Sequence, residues 1–445
     1  MESYSKIKQT LIFLGDIAVF YISLVLTLWL RYGSEFYNKL FDSHIGPFSM
    51  ILAIWLIVFY IAGIYDFKNL KNDLEFDKKF WYSLVFNAGI SVAFFYLNTS
   101  VNVAPKTNLF IFLIIFGGIG YFYRHILNSL LGKTGAATRI LLIGNNRTAQ
   151  ETADYLKENY QLGYEIKFWM KDGLKDREFE HLFQIIIANK INTIVIPAHI
   201  KKDFVSASLI YKALLAGVDI MDLASLYELV FKKVPLAELE EVWFLENITK
   251  KHQIYEYIVG PMEYVLALLM FIVLLPLLLI IALSVKLTSE GAAIFKQKRV
   301  GKNGNEFIIY KFRTMKIDAE KNGPQWANYF KDDRATKIGK FLRASHLDEL
   351  PQLVNIIKGD LSFIGPRPER PEFVESLKKE IPYYELRHLT KPGVTGWAQI
   401  NFRYGATVQE AYEKTQFDIY YIKNNSPFLD LSILLRTIKF LFTNN

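Results

Sequence analysis

The 445-residue chain has no cysteine at all. That excludes a disulfide scaffold and a thiolate zinc site, and any covalent chemistry must use another nucleophile. Its seven histidines are scattered, with no His-x-His or His-x-x-x-His pair to hold a borderline metal. A dinucleotide fingerprint is also missing. The turn Gly144-Asn145-Asn146-Arg147-Thr148-Ala149 has the first glycine but neither the second nor the third. Between residues 139 and 231 there is no Tyr-x-x-x-Lys pair, so short-chain dehydratase chemistry has no evident base. Disorder is excluded from the other side, because 51% of the residues are hydrophobic.

What is present in the first third is membrane-like. The runs Leu11–Leu30, Phe48–Phe67, Phe80–Leu97 and Leu109–Leu131 are each near the roughly 20 residues needed to cross a bilayer. The first begins too late and runs too long for a signal peptide, with no small-residue cleavage site after it. The connection between the second and third runs carries Lys68, Lys71, Lys78 and Lys79, whereas residues 98–108 carry only Lys106. Lys6 and Lys8 precede the first run, and Arg124, Lys133 and Arg139 close the fourth. An even number of spans with both ends cytoplasmic accommodates this charge pattern. Asp16 lies inside the first run near its basic end, where a carboxylate is expected to snorkel to the interface.

From Arg139 the pattern becomes soluble α/β. Buried strands are predicted at 139–144, 191–197 and 218–223, with helices over Thr148–Tyr160 and Val205–Leu215, which argues for a small Rossmann-like parallel sheet. A fifth apolar run, Tyr264–Val285, is long enough to span, but Pro276 sits in its middle. Lys250 and Lys251 precede it, while Lys286, Lys296, Lys298 and Arg299 follow. Basic residues on both flanks and a proline break predict a re-entrant segment that enters and leaves by one face.

The last third carries the chemistry. Residues 286–343 hold 14 Lys and Arg against 6 Asp and Glu, a local +8 that equals the formal excess of the whole chain. Within it stand Gln297-Lys298-Arg299-Val300-Gly301 and Tyr310-Lys311-Phe312-Arg313-Thr314. On a strand Lys311 and Arg313 share one face, suited either to phosphate oxygens or to anionic headgroups. Then comes Leu347-Asp348-Glu349-Leu350-Pro351-Gln352. Adjacent carboxylates repel. Two readings stand, a helix cap set by Ser345 and Pro351, or a division of labour in which one carboxylate attacks phosphorus and the other holds Mg²⁺. His346 reads as local structure. Arg367, between Pro366 and Pro368, is displayed from a stiff loop as an anion clamp. Lys391-Pro392-Gly393-Val394-Thr395-Gly396-Trp397-Ala398-Gln399 offers backbone N–H groups and an aromatic surface for a base or sugar. Residues 428–442 form an apolar surface with Arg436 and Lys439, expected as an amphipathic helix lying on the membrane.

Taken in order, these motifs, with Phe417-Asp418-Ile419-Tyr420-Tyr421-Ile422 near the end, resemble the bacterial sugar transferase family. These are the polyprenyl-phosphate hexose-1-phosphate transferases, or monotopic phosphoglycosyl transferases. The segment from Tyr227-Glu228 through Pro235 to Trp243, behind four spans and a Rossmann-like module, resembles the large membrane-bound subgroup. The resemblance implies transfer of a sugar 1-phosphate from a UDP-sugar to undecaprenyl phosphate, with release of UMP. By likeness Asp348 is the nucleophile that forms an aspartyl-phosphosugar intermediate, and Glu349 binds Mg²⁺. Lys311, Arg313, Arg343 and Arg367 are implied to hold substrate phosphates, with Gln297, Arg299 and Asp418 as further candidates. Pro276 is implied to break the re-entrant helix. One departure stands out: where relatives begin that helix with Lys-Arg and then Asp, this chain reads Gly260-Pro261 and Glu263.

The expected organisation is four transmembrane helices forming a bundle (1–135), a Rossmann-like α/β module (136–250), and a linker with the re-entrant helix (251–285). A mainly α catalytic domain with an amphipathic C-terminus follows (286–445). The expected location is the bacterial inner (cytoplasmic) membrane, multi-pass, with the catalytic domain facing the cytoplasm. Partners would be a UDP-sugar, undecaprenyl phosphate and membrane lipids, with no nucleic acid; a homodimer is compatible with the four-span module. Two rival readings are a membrane-anchored nucleotide-sugar dehydratase and a non-catalytic scaffold. No residue in the sequence names the sugar.

Overall fold

Long apolar runs near the N-terminus can satisfy their backbone polar groups only internally, and they fold as four helices. These are α1 (Glu2–Tyr32), α2 (Ile45–Ala62), α3 (Leu74–Leu97) and α4 (Pro105–Lys133). The structure is a computed structural model that describes residues 2–66, 70–97, 105–133, 138–171, 179–201, 211–215, 217–248, 251–317, 319, 334–402 and 407–443. It divides into two compact units, Met1–Leu226 and Tyr227–Asn445. Lys68, the first part of the helix expected at 205–215 and the side chain of Lys439 lie outside the described residues.

In the first unit, α1 to α4 share one core. Ile12, Phe20, Leu24 and Leu28 of α1 meet Phe48, Trp55 and Phe59 of α2, Phe76 and Phe80 of α3, and Phe112 and Phe116 of α4. Aromatic edges interlock there: Phe20 and Phe112 have centroids 4.8 Å apart, and Trp55 and Phe116 are 5.1 Å apart. The Trp55 indole donates to Ser91 Oγ at 2.9 Å, so the largest core side chain leaves no orphan donor. The opposite faces are also apolar, with Leu11, Ile22, Trp29, Phe86, Phe110 and Ile126 exposed. A helix that is apolar all round expects lipid or protein on every side. Five helices among the described residues are long and apolar enough to cross a membrane, these four and Tyr257–Thr288.

Asp16 does not snorkel. It is buried, accepts a hydrogen bond from Tyr65 Oη at 2.8 Å, and forms an ion pair with Arg124 of α4. A cation on a neighbouring helix satisfies the carboxylate in place, so it need not reach the interface.

Behind α4 the chain forms a parallel sheet with strand order β2-β1-β3-β4. Its strands are β1 (Thr138–Ile143), β2 (Tyr164–Met170), β3 (Thr193–Ile196) and β4 (Asp219–Asp222). Helices α5 (Arg147–Glu158) and α6 (Phe179–Ala188) connect them. Gly144 makes the turn after β1 at φ +99°, and Asn146 caps α5 by accepting from the Ala149 N–H at 2.8 Å. Strand β2 goes unforeseen in the sequence, because it is an edge strand whose Glu165, Lys167 and Phe168 are exposed.

The second unit is mainly helical. Helix α7 (Lys251–Thr288) contains Pro261 and Pro276, and its helical assignment runs through both. The chain therefore stays helical through Pro276, and a change of direction there takes the form of a bend within the helix. Proline removes one N–H and crowds one carbonyl, which an otherwise helical apolar run tolerates as a local defect. One stripe of α7, made of Ala267, Met270, Phe271, Leu274, Leu278, Ile281 and Val285, packs on the globular part. Its partners are Leu353, Ile356 and Leu361 on one side of Pro276, and Phe312 and Leu342 on the other. An antiparallel hairpin follows, β5 (Ile294–Val300) with β6 (Glu306–Phe312). Then come α8 (Lys337–Ala344), a 3-10 turn (Leu347–Gln352) and α9 (Leu353–Lys358). The short parallel pair β7 (Ser362–Ile364) and β8 (Gly393–Thr395) is followed by α10 (Trp397–Asn401), α11 (Val408–Asn424) and α12 (Pro427–Thr443). Residues 227–248 belong to this unit: Glu228 bonds Lys423 and Asn424, and the Lys232 carbonyl accepts from the Trp397 indole.

Breaking the Asp16–Arg124 pair leaves a charge buried and unpaired, at a cost of about 3–5 kcal/mol. Asp16→Ala should lower the melting temperature of the detergent-solubilised protein. Asp16→Ala with Arg124→Leu should recover part of the loss. A double variant no more stable than the single one would show that the pair is not the origin of the effect.

Candidate active site

Four separate elements between residues 306 and 367 bring polar side chains to one place. Lys311 comes from the end of β6, Arg343 from the last turn of α8, Asp348 and Glu349 from the 3-10 turn, and Arg367 from the Pro-Arg-Pro loop after β7. Buried Asn355 sets the first of these. Its side chain accepts from the Tyr310 N–H (3.1 Å) and donates to the Ile308 carbonyl (2.6 Å), stitching α9 to the edge of β6. Gly339 lets α8 approach the chain just after β6 closely, since a Cβ there would overlap the Thr314 carbonyl. Arg343 Nε then donates to Thr314 Oγ1 at 2.9 Å. His346 adopts a left-handed conformation, φ 55°, that turns the chain from α8 into the 3-10 turn. Ser345 ends α8 by bonding the Phe341 carbonyl at 2.8 Å, so it does not cap the segment that follows.

Glu349 is the centre of the cluster. Its Oε1 accepts from Lys311 Nζ at 2.7 Å and from Arg367 Nη2 at 2.8 Å. Burial alone would raise its carboxyl, but Arg367 and Lys311 outweigh that and hold it well below the usual carboxylate range. Asp348, also buried, behaves oppositely. Burial and then the neighbouring Glu349 charge push it up to about 6, against the pull of Lys311, Arg343 and Arg367. Two adjacent carboxylates thus differ in proton affinity, the pattern by which one side chain is kept as a fixed charge and its neighbour as a reactive base.

Other sequence candidates serve the same loop from behind. Arg299 Nη2 donates to Gln297 Oε1 (2.7 Å) and Nη1 to the Pro368 carbonyl (3.0 Å), so this pair braces the Pro-Arg-Pro loop without reaching Glu349. Arg313 is not brought into the cluster. Strand β6 ends at Phe312, and the Arg313 guanidinium turns to the Ala292 carbonyl at 2.8 Å. Trp397 offers no aromatic surface to a ligand; it is buried, donates to the Lys232 carbonyl at 2.8 Å and stacks on Tyr420.

A cavity of about 300 Å³ opens beside Glu349 and Arg367. Its walls include Leu353, Phe363, Val394 and Ala398, and its polar end is completed by Glu369, Arg387, Lys414 and Asp418. Asp418 is paired with Arg387 at 3.0 Å and pushed up to about 6, chiefly by burial. Arg387 also donates to the Arg367 carbonyl (2.8 Å) and to Tyr384 Oη (2.6 Å). Sequence reasoning missed Arg387 and Lys414. Lys414 sits four residues before Asp418 on one helical face, a signal that was available; Arg387 stands in no motif.

Among the described residues no group of three or more His, Asp and Glu side chains converges as a ready metal cage. The donor set fits only a hard ion such as Mg²⁺ that takes one or two carboxylates and completes its shell with phosphate and water. Glu349, with Asp348 beside it, would be that contribution.

The sequence model of a family described as bacterial sugar transferase matches residues 255–444. The chain is 43% identical over 190 residues to the UDP-N-acetylgalactosamine-undecaprenyl-phosphate N-acetylgalactosaminephosphotransferase of Aeromonas hydrophila, covering 43% of this chain and 45% of that protein. It is 41% identical over 178 residues to the UDP-glucose:undecaprenyl-phosphate glucose-1-phosphate transferase of Escherichia coli (strain K12), covering 40% and 38% respectively. These two matches thus span less than half of either relative. A protein of that same name from Caulobacter vibrioides is 41% identical over 187 residues, which are 41% of this chain and 69% of the relative.

An aspartate that titrates near 6 in the folded protein, rather than at its ordinary 3.8, binds its proton more tightly when folded. Ionising it therefore costs stability as the pH rises from about 4 to about 6, and the cost is constant above that. Asp348→Asn removes the cost. Its unfolding free energy should exceed the wild type's by on the order of 2–3 kcal/mol at pH 8, with the gap closing towards pH 4. Denaturant unfolding at both pH values tests this; a gap independent of pH would refute it.

Proposed function

The chain belongs to the bacterial sugar transferase family, and from that premise we propose that it transfers a sugar 1-phosphate from a UDP-sugar to undecaprenyl phosphate. The observation that carries the reading is the Asp348–Glu349 pair, in which Lys311 and Arg367 close on Glu349. In the proposed reaction an Asp348 oxygen attacks the β-phosphorus of the UDP-sugar. The bond from that phosphorus to the bridging oxygen breaks, UMP leaves with the electron pair, and an aspartyl-phosphosugar remains. A phosphate oxygen of the lipid then attacks the same phosphorus, freeing Asp348 and giving the lipid diphosphate sugar. The raised carboxyl suits a nucleophile that is ionised at neutral pH yet retains basicity. Glu349, held ionised, would hold Mg²⁺, which when bound neutralises charge on the diphosphate. Arg367 bonds Glu349 through Nη2 while its side chain stays partly exposed, which suits a guanidinium that also meets phosphate oxygens.

The proposed setting is the cytoplasmic membrane, with α1 to α4 as a transmembrane bundle and the catalytic unit on the cytoplasmic side. The basic connection after α2 supports it. Lys71 of that connection donates to the Glu158 carbonyl at the end of α5, which places the connection and the parallel sheet on the same side of the four helices. Basic residues flanking α7 at both ends support a seat in which this helix dips into one leaflet around Pro276.

Asp348→Ala should reduce UMP release from a UDP-sugar, with undecaprenyl phosphate present, by at least about a thousandfold. The wild type, quenched before lipid is added, should carry a sugar-phosphate adduct on the peptide containing residue 348 by mass spectrometry. For the wild type kcat/KM should rise with pH to a plateau above about 6, since ionised Asp348 is the reacting form. Near-normal UMP release by Asp348→Ala would sink the covalent mechanism.

A further inference from the structure

Glu263 stands in α7, two residues past the Gly260-Pro261 pair, on the helix that the sequence marks as membrane-seated. Its Oε1 accepts from Ser362 Oγ at 2.5 Å and from the Phe363 N–H at 3.0 Å. Both donors belong to β7, the strand that runs directly into Gly365-Pro366-Arg367. A second tie steadies the same end of the helix: Asp430 of α12 accepts from Tyr255 of α7 and, at 3.0 Å, from Tyr421 of α11.

Between Glu263 and Arg367 there is little that could absorb a displacement. The Ser362 N–H donates to the Pro392 carbonyl (2.8 Å), Gly365 to Thr395 (2.9 Å) and Gly393 to Pro366 (2.9 Å). The backbones approach so closely that a Cβ on Gly393 would overlap the Gly365 nitrogen, and one on Gly396 the Gly365 carbonyl oxygen. No layer of side chains cushions this contact. A shift of β7 therefore moves the loop that presents Arg367 to Glu349.

We propose that Glu263 is a positioning residue: its carboxylate locks β7 to the membrane helix and thereby sets the place of Arg367 against Glu349. The role needs an acceptor oxygen, not a charge, because both partners are neutral donors. Its activity readout rests on the transferase reading above, so a second readout independent of turnover is paired with it.

The test uses the full chain in nanodiscs, with Glu263→Leu, Glu263→Gln and Ser362→Ala. By hydrogen–deuterium exchange, Glu263→Leu should speed exchange across residues 362–368 by about tenfold or more while the β5–β6 hairpin is unchanged. In the UMP assay it should lower kcat by on the order of tenfold or more, with the KM for the UDP-sugar within about twofold. Glu263→Gln, whose amide oxygen can accept both bonds, should stay within about threefold of wild type in both readouts. Ser362→Ala, which removes one of the two bonds, should give a smaller rise in exchange and decides the matter if the leucine variant does not fold. Wild-type exchange in Glu263→Leu or Ser362→Ala would overturn the proposal. So would a glutamine variant as impaired as the leucine one, since that would make the charge the requirement. If the wild type released no UMP, the transferase reading would fail, while the exchange comparison would still decide this one.

Discussion

A buried carboxylate with two cations on one oxygen organises the catalytic unit. Lys311 reaches Glu349 from the hairpin and Arg367 from the Pro-Arg-Pro loop. Neither Glu349 nor Lys311, both largely out of solvent, could be so placed alone, because an isolated charge inside a protein costs several kcal/mol after relaxation. The hairpin, the 3-10 turn and the β7–β8 pair are therefore mutually dependent. Each supplies a charge that makes burial of the others tolerable. Buried ion pairs of this kind add little net stability compared with apolar packing; what they add is a unique arrangement. Here the arrangement leaves a half-exposed guanidinium and the Glu349 carboxylate at a cavity, with Asp348 next to Glu349 in the chain.

That second carboxylate shows what the arrangement costs. Asp348 lies beside a permanent negative charge and out of water, so its own charge is disfavoured. Lys311, Arg343 and Arg367 offset the penalty only in part. A site that raises one carboxyl while depressing its neighbour concentrates the strain on the group proposed here to react. The same logic recurs 70 residues further on. Asp418 is raised by burial although Arg387 contacts it, and Arg387 in turn holds the Arg367 carbonyl. The polar end of the cavity is thus one connected network, and no member can change charge without consequence for Arg367.

The legible part of this site is the part written as contiguous motif. Asp348, Glu349, Lys311 and Arg367 could be picked out because adjacent carboxylates rarely help a fold, and because the alternating cations and the proline-flanked arginine stand with them in one recognisable order of motifs. Arg313 shared that signal and was misleading, because a face on a strand extends only as far as the strand does. Trp397 was misread for a related reason. A glycine-rich loop with an aromatic can bind a ring, but the same aromatic can plug the core, and only packing decides. Asp16 shows the limit most clearly. Its partner Arg124 lies on a different helix, 108 positions away, and no local pattern links them. Helices and apolar runs follow from short-range periodicity; convergence of charges from separate elements does not, which is why Arg387 was invisible.

Membrane seating and chemistry meet on α7. One stripe of that helix packs under the β6 and α9 elements that carry Lys311 and follow the carboxylates, while its other face exposes Val265, Leu269, Ile272 and Leu283. Helix α12 does likewise: Ile433 is buried, and Phe428, Leu431 and Ile438 are exposed. Apolar surface of this extent on a charged catalytic unit is unfavourable in water and favourable against acyl chains. The depth at which these faces come to rest in a bilayer then fixes the height of Glu349 and Arg367 relative to the headgroups. For the proposed reaction, which joins a water-soluble diphosphate to a lipid phosphate, that height would be a catalytic variable. A rigid join between α7 and the Arg367 loop is the structural condition for controlling it.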